Sequence, residues 1–204
     1  FRPTKLPISP VNARFFIARP IRSSVPVICI GNFVTGGAGK TPVAINLARR
    51  LIAEGRNVRF LTKGYGGHFA GPTRVSLEKH TAAEVGDEAL MLAHVASTWV
   101  AKSRPNGIAA ASADDGRGSP DIIIMDDGYQ NPLVVKDFSL LVIDGVFGFG
   151  NRRILPAGPL RESIRSALAR ADAIVLIGSD HAKIKNTLVA RGNTLPFFSA
   201  SARL

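Results

Sequence analysis

The sequence predicts an α/β fold: a mostly parallel sheet with helices on both faces. Three observations predict it. Short apolar runs alternate with segments of helical periodicity almost to the end of the 204 residues, the pattern of strand–helix–strand units. Residues 121–125 form a continuous apolar run behind Asp121, as expected of a strand buried on both faces of a parallel sheet. The apolar run 25–30 leads through Gly36, Gly37, Ala38, Gly39, Lys40 and Thr41 into a helical pattern that begins at Pro42. Strand, glycine loop and helix in that order make a phosphate-binding loop, so the sheet is read as that of a P-loop NTPase.

Each element follows from its residues. In the loop after the first strand, glycines let backbone N–H groups curl around phosphate oxygens, and the helix N-terminus adds partial positive charge. Lys40 is placed to reach the terminal phosphates and the Thr41 hydroxyl to bind Mg²⁺. Pro42 suits a first helical turn, where its missing N–H has no partner to lose. The strict pattern has glycine where Val34 stands, so this is the variant GG-x-GKT form. Ile45, Ala48, Leu51 and Ile52 recur at helical spacing, and Gly55 is placed to end that helix. Residues 58–61 read as a second strand, and the glycine-rich, aperiodic stretch 63–79 as a loop or small hairpin. Residues 87–96 read as a helix with Leu90, Ala93 and Ser97 on one face, and 99–101 as a short strand. A polar turn at 114–120 is followed by strands at 121–125 and 139–144. A helix at 162–171, a strand at 173–177, a helix at 181–190 and a last strand at 194–199 complete the pattern, with no internal repeat.

Composition narrows the partners. The chain is 46% hydrophobic and carries a formal charge of +11, which favours an anionic partner: nucleotide, nucleic acid, acidic lipid or phosphorylated substrate. The single cysteine, Cys29, lies inside the first strand and reads as a packing residue that allows no intrachain disulfide. No run of eighteen apolar residues is present to span a bilayer. Phe15 and Phe16, flanked by Arg14, Arg19 and Arg22, make an N-terminal arm that either lies on an anionic bilayer or packs on the domain. The start at Phe1 and the stop after an apolar segment read as a fragment of a longer protein.

Several clusters carry chemistry. Asp126 and Asp127 follow an apolar strand directly, at the sheet edge where α/β proteins bind ligands, and a nucleotide kinase needs a carboxylate there for Mg²⁺. Gly86, Asp87 and Glu88 open a helix. Either the acids offset the helix dipole, or they supply a general base and a metal ligand; spacing does not separate the two. Residues 63–67 place a cation and Tyr65 in a flexible loop that covers a substrate or is a plain turn. Residues 147–151 and 155–162 are rich in Gly and Pro, consistent with a rigid substrate loop in which Arg161 faces an anionic group. His68, His80, His94 and His181 have no metal-ligand spacing.

Together these blocks resemble the tetraacyldisaccharide 4′-kinases of lipid A biosynthesis. The matching stretches are Ile30, Gly31 and Asn32, the GGAGKTP loop, Gly64, Tyr65 and Gly66, VGDE at 85–88, DDGYQ at 126–130, GFGN at 148–151 and LPAGPLRE at 155–162. The resemblance implies a kinase that transfers the γ-phosphate of ATP, with Mg²⁺, to the 4′-hydroxyl of an acylated disaccharide phosphate lipid. It would act at the cytoplasmic face of the bacterial inner membrane, against an anionic membrane surface. Residues 25–204 would be the kinase domain and 1–24 an N-terminal arm. By motif, Lys40 and Thr41 handle phosphate and magnesium together with the backbone of residues 36–39. Asp87 is the base that accepts the sugar proton, and Glu88 a metal-site carboxylate. Asp126 and Asp127 surround magnesium and the reacting phosphate, and Gln130 belongs to the ATP site. Tyr65, Asn151, Arg161 and Glu162 belong to the substrate side.

The chain departs from the family in having Lys63 where arginine is usual, in showing no long N-terminal hydrophobic helix, and in stopping before a C-terminal lobe that supplies a histidine to the base. Two other readings stay open. A partitioning or metal-cluster-carrier ATPase shares the loop and sheet, although Thr35 stands where those proteins carry a further lysine. A non-catalytic nucleotide- or acidic-lipid-binding module is the second. Nucleic-acid binding has the charge but no aromatic–basic interleaving, and the sequence gives no oligomeric state.

Overall fold

The computed structural model describes residues 19–201 except 115 and 117; residues 1–18, with the Phe15–Phe16 pair of the arm, lie outside the described residues. The described chain builds one eight-stranded sheet in the order β3-β4-β2-β5-β1-β6-β7-β8. The strands are β1 (Val27–Gly31), β2 (Val58–Thr62), β3 (Thr73–Arg74), β4 (Ser97–Val100), β5 (Ile122–Asp126), β6 (Phe138–Asp144), β7 (Ala173–Ile177) and β8 (Phe197–Ala200). Every pairing is parallel except that of the two-residue β3 with β4. The helices are α1 (Lys40–Ala53), α2 (Ala82–Val85), α3 (Asp87–Ala93), α4 (Arg104–Ser112), α5 (Ile164–Arg170) and α6 (Ile184–Val189).

Two apolar layers explain the unbroken run in β5. Ile123 and Met125 point into the layer shared with Cys29, Leu61, Leu141, Ile108 of α4 and Ile164 of α5. Ile124, one residue out of phase, points into the opposite layer with Ile30, Phe60, Val142, Ala44 and Ala48 of α1 and Leu92. Each buried side chain of this size contributes roughly 1.5–3 kcal/mol, so both faces must be apolar and alternation disappears. Burial pushes the Cys29 thiol up to about 11, in keeping with a packing residue.

Local details depart from or add to the sequence reading. The segment 104–112, left unassigned in the sequence, is α4, started by Ser103, whose hydroxyl oxygen accepts from Asn106 N–H, and by Pro in its first turn. α3 ends at Ala93, not Ala96, because Ser97 already pairs with Arg59 as the first residue of β4. The fully buried residues of α3 are Ala89 and Leu92; Leu90 and Ala93 pack at the margin of a small cluster around Val85 and Val100. The 63–79 loop carries a strand of only two residues, β3.

Topology fixes where a ligand goes. From β1 the chain builds outward on one side through β5, β2 and β4 and on the other through β6, β7 and β8, so the order reverses beside β1. Open α/β sheets bind ligands outside the carboxyl ends of their strands at such a reversal. A pocket of about 210 Å³ lies there, lined by Val34–Ala38 on one side and Val142, Ile143, Asp144, Phe147 and Gly148 on the other.

Candidate active site

The phosphate loop is built for close backbone approach. Gly36 and Gly39 take φ values of 107° and 75°, a region open to glycine and strained for other residues. Gly39 is the N-cap of α1, no side chain caps the helix, and no acid stands in its first turn. The N–H groups left over at a helix start are therefore free to meet an anion.

Facing the loop are the two aspartates at the end of β5. Thr41 Oγ1 donates to Asp126 Oδ2 at 2.8 Å. Lys40 Nζ and Arg161 Nη1 stand 3.6 and 3.5 Å from Asp127 Oδ1. Asp127 adopts a left-handed φ of 53°, and Arg104 holds that turn by donating Nη2 to the carbonyls of Asp126 and Asp127 at 3.2 and 3.1 Å. The turn sends adjacent carboxylates to different partners, Asp126 to Thr41 and Asp127 to Lys40 and Arg161.

Asp126 is fully buried, and its Oδ1 has no partner among the described residues. Burial pushes its carboxyl up to about 6, resisted by the Thr41 hydrogen bond and reinforced by the charges of Glu88 and Asp127. An inward-facing, under-compensated carboxylate beside a hydroxyl is the donor set of a hard cation such as Mg²⁺, which takes few protein ligands and completes its shell with water and phosphate oxygens. The described residues hold no cluster of three or more His, Cys, Asp or Glu suited to a metal, and a magnesium–nucleotide site needs none. Thr41 and Asp126 therefore fit the ion.

The VGDE and KGYGG motifs form one joint. Gly86, at φ 88°, lies against the 64–67 turn so closely that a Cβ there would come 2.3 Å from the Tyr65 carbonyl oxygen; a Cβ on Gly64 would come 2.8 Å from the Val85 carbonyl. These glycines let backbone pack on backbone and aim the start of α3. Asp87, its first residue, is exposed and Glu88 half-buried, and α3 packs against α1. Glu88 is near enough to raise the Asp126 pKa. Tyr65 sits at the turn, 82% exposed.

A second network supports the site from behind. Gln130 Nε2 donates to the Asn32 carbonyl at 2.7 Å and to Glu162 Oε1 at 3.1 Å. Arg170 Nη2 meets the same Glu162 oxygen at 2.5 Å, and its guanidinium stacks 5.0 Å from the centre of the Tyr129 ring. Tyr129 Oη donates to the Ala167 carbonyl at 2.5 Å. Glu162 is 3% exposed, so here it positions Gln130 and anchors α5. Asn151 is exposed, and its side chain braces its own loop, donating to the Ala157 carbonyl at 2.8 Å and accepting from Arg153 N–H at 3.1 Å.

The structure thus brings Lys40, Thr41, Asp126, Asp127 and Arg161 together, sets Glu88 near them, and places Tyr65 and Asn151 on exposed loops. Sequence reasoning missed Arg104 and Arg170. A serine cap followed by Arg and Pro gave a helix-start signal for the first; for the second there was no local sign.

The chain matches the profile of the tetraacyldisaccharide-1-P 4′-kinase family over residues 8–203. It is 54% identical over 186 residues to the tetraacyldisaccharide 4′-kinase of Parvibaculum lavamentivorans, covering 91% of this chain and 53% of that protein. The corresponding protein of Paramagnetospirillum magneticum is 53% identical over 183 residues, 90% of this chain and 54% of that one. The chain spans about half the length of the curated relatives it matches. Among solved structures, the "apo" form of LpxK from Aquifex aeolicus in complex with ATP superposes with a TM-score of 0.68 at 23% identity, over 95% of this chain and 76% of that one, a likeness of fold. With nearly the whole chain matched and identities near one half, it belongs to the tetraacyldisaccharide-1-P 4′-kinase family.

Proposed function

We propose that the complete protein is an ATP-dependent kinase that phosphorylates the 4′-hydroxyl of a tetraacyldisaccharide 1-phosphate at the cytoplasmic face of the inner membrane. The observation that carries the reading is the convergence of Lys40, Thr41, Asp126, Asp127 and Arg161 at the reversal of the sheet order, in a chain of this family. Phosphoryl transfer asks a protein mainly for positioning and charge stabilisation, and this arrangement has both.

In this reading the backbone N–H groups of residues 36–41 cradle the phosphates, and Lys40 spans the bridging and terminal phosphate oxygens. Thr41 and Asp126 would hold Mg²⁺, with Glu88 behind them; the ion would neutralise charge on the β- and γ-phosphate oxygens. Asp127 holds Lys40 and Arg161 in register until the triphosphate competes for both. Asp87, on the exposed start of α3, accepts the proton of the sugar hydroxyl as that oxygen bonds to the γ-phosphorus and the bond to the bridging oxygen breaks, releasing ADP. Gln130 is held at the rim of the nucleotide site by Glu162. Tyr65, Asn151 and Arg161 line the approach of the acylated acceptor.

The test is a kinase assay on the complete gene product with ATP, Mg²⁺ and detergent-dispersed tetraacyldisaccharide 1-phosphate. The expected result is the 4′-phosphorylated lipid. ATP hydrolysis without lipid phosphorylation would overturn the reading in favour of a partitioning-type ATPase.

A further inference from the structure

Between β6 and α5 the chain runs through a loop that lines the pocket with Phe147 and Gly148 and carries Asn151 and Arg161 on the acceptor side. Its other outward-facing residues have no part in the proposed chemistry. Residues 145–161 contain no Asp or Glu and carry Arg152, Arg153 and Arg161. Val146, Phe147, Ile154 and Leu155 are 66, 53, 43 and 51% exposed. Phe149, between them in the chain, is instead buried against Phe33, ring centres 5.4 Å apart. Single exposed apolar residues need no explanation, but four large ones in one loop with arginines between them do. Two of them flank the same proline: a Cβ on Gly150 would come 3.8 Å from Phe147 Cζ and 2.7 Å from Pro159 Cγ, and Ile154 bridges to Leu160 beside that proline.

The exposure is built in. Asp144 Oδ1 accepts from the N–H groups of Val146 and Phe147 at 2.7 and 2.9 Å. Asn151 braces Ala157 and Arg153, Leu155 N–H donates to the Leu160 carbonyl, and Leu160 N–H donates to the Arg153 carbonyl. The loop is also tied to the phosphate loop, Thr35 N–H donating to the Pro159 carbonyl at 2.8 Å and Arg161 N–H to the Phe33 carbonyl at 2.7 Å. A preorganised apolar tip loses little conformational entropy when it is buried.

We infer that residues 146–157 are a membrane-docking tip: Val146, Phe147, Ile154 and Leu155 enter the acyl boundary of an anionic bilayer while Arg152 and Arg153 meet lipid phosphates. Apolar side chains interleaved with arginine on an acid-free loop are complementary to that surface. A second copy of a chain at +11 would instead bring like charge to like. Because the tip follows β6 and is bonded to the phosphate loop, docking turns the catalytic edge of the sheet toward lipid. The inference draws on the proposed lipid acceptor only for the identity of the surface.

The test is Phe147→Trp in the complete protein, read as the difference from the wild type; Trp99, the one tryptophan of this chain, is buried. Vesicles of phosphatidylethanolamine and phosphatidylglycerol should blue-shift the new indole emission, and brominated acyl chains should quench it. Phosphatidylcholine vesicles should do neither. Arg152→Ala and Arg153→Ala should each lower affinity for the anionic vesicles roughly fivefold. An unshifted indole in protein that co-sediments with the vesicles, no co-sedimentation, or unchanged affinity in the arginine variants would overturn the inference. No nucleotide or acceptor is present, so this result and the kinase assay fail independently.

Discussion

Thr41 and Asp126 face each other across 2.8 Å, the hydroxyl of the first donating to Oδ2 of the second. The bond joins the first turn of α1 to the end of β5 and leaves Asp126 Oδ1 buried without a partner. The ligand-free fold therefore bears a carboxylate that a cation would relieve. Its pKa is raised by burial from 3.8 to about 6, so the ligand-free protein binds this proton more tightly folded than unfolded. The contribution to stability is full below the unfolded value and is lost as pH rises through about 6; it amounts to about 3 kcal/mol at most. Asp126→Asn should raise the ligand-free melting temperature at pH 7.5 while changing it little at pH 3.5, and should weaken Mg²⁺–ATP binding at least tenfold. Thermal melts at the two pH values and calorimetric titration check both halves. A variant that melts lower at pH 7.5 would show that the carboxylate is compensated by other means.

Metal affinity should follow the same group. Mg²⁺ binds the ionised carboxylate, so its apparent affinity for the nucleotide-loaded protein should be flat above about pH 7. Below about 6 it should fall toward tenfold per pH unit. Asp126→Asn should remove that slope, once the titration of ATP itself is subtracted. Magnesium titrations between pH 5 and 8 give the profile; a flat one would place the ion elsewhere.

Much of this was legible because its causes are local. A glycine loop between a strand and a helix shows in a few residues, and β5 announces burial on both faces by its unbroken apolar run. α4 hid because Gly107 and the alanines around it give no apolar stripe: a Cβ on Gly107 would come 2.6 Å from Leu61 Cδ1, so the helix meets the sheet through small residues. Arg104 and Arg170 were invisible for another reason. The carbonyls Arg104 holds lie 22 and 23 residues away, and the tyrosine ring under Arg170 is brought there by the fold. The VGDE ambiguity is one of placement, and the Tyr65–Gly86 backbone contact, a tertiary fact, aims the start of α3, which packs against α1.

That contact gives a sharp test. Gly86→Ala adds a Cβ 2.3 Å from a backbone oxygen at a φ of 88°, so strain and clash add. The expected cost is about 3 kcal/mol or more, with loss of activity as Asp87 and Glu88 are displaced. Gly192→Ala, at φ 74° with nothing within 4 Å, should cost only about 1 kcal/mol. Equal losses in denaturant melts would mean that the joint is no tighter than an ordinary turn.

Arg170 and Glu162 form a nearly buried pair, their side chains 16% and 2% exposed. Removing the arginine alone leaves a buried carboxylate whose Oε1 keeps only the Gln130 bond, and Arg170→Met should cost about 3 kcal/mol. Adding Glu162→Gln should restore much of it, because the charge is then gone. A double-mutant cycle in urea reads the coupling, and simple additivity would remove the pair from the support of Gln130.

Asp87 and Lys40 separate chemistry from binding. Lys40 stands on the phosphate loop, 3.6 Å from Asp127, so Lys40→Ala should weaken both triphosphate binding and turnover. Asp87 is exposed at the start of α3, outside the Thr41–Asp126 and Lys40–Asp127 contacts. If it takes the sugar proton, Asp87→Ala in the complete protein should lower kcat by a factor of roughly 10²–10⁴ with ATP affinity unchanged. Raising the pH should not rescue that variant, whereas a role confined to the helix dipole predicts a stability loss of under about 1 kcal/mol and near-normal turnover. Steady-state kinetics on the lipid acceptor, with nucleotide affinity measured separately, decides between the two. Near-normal kcat would remove Asp87 from the reaction and leave Glu88 and the β5 aspartates as the acids of the site.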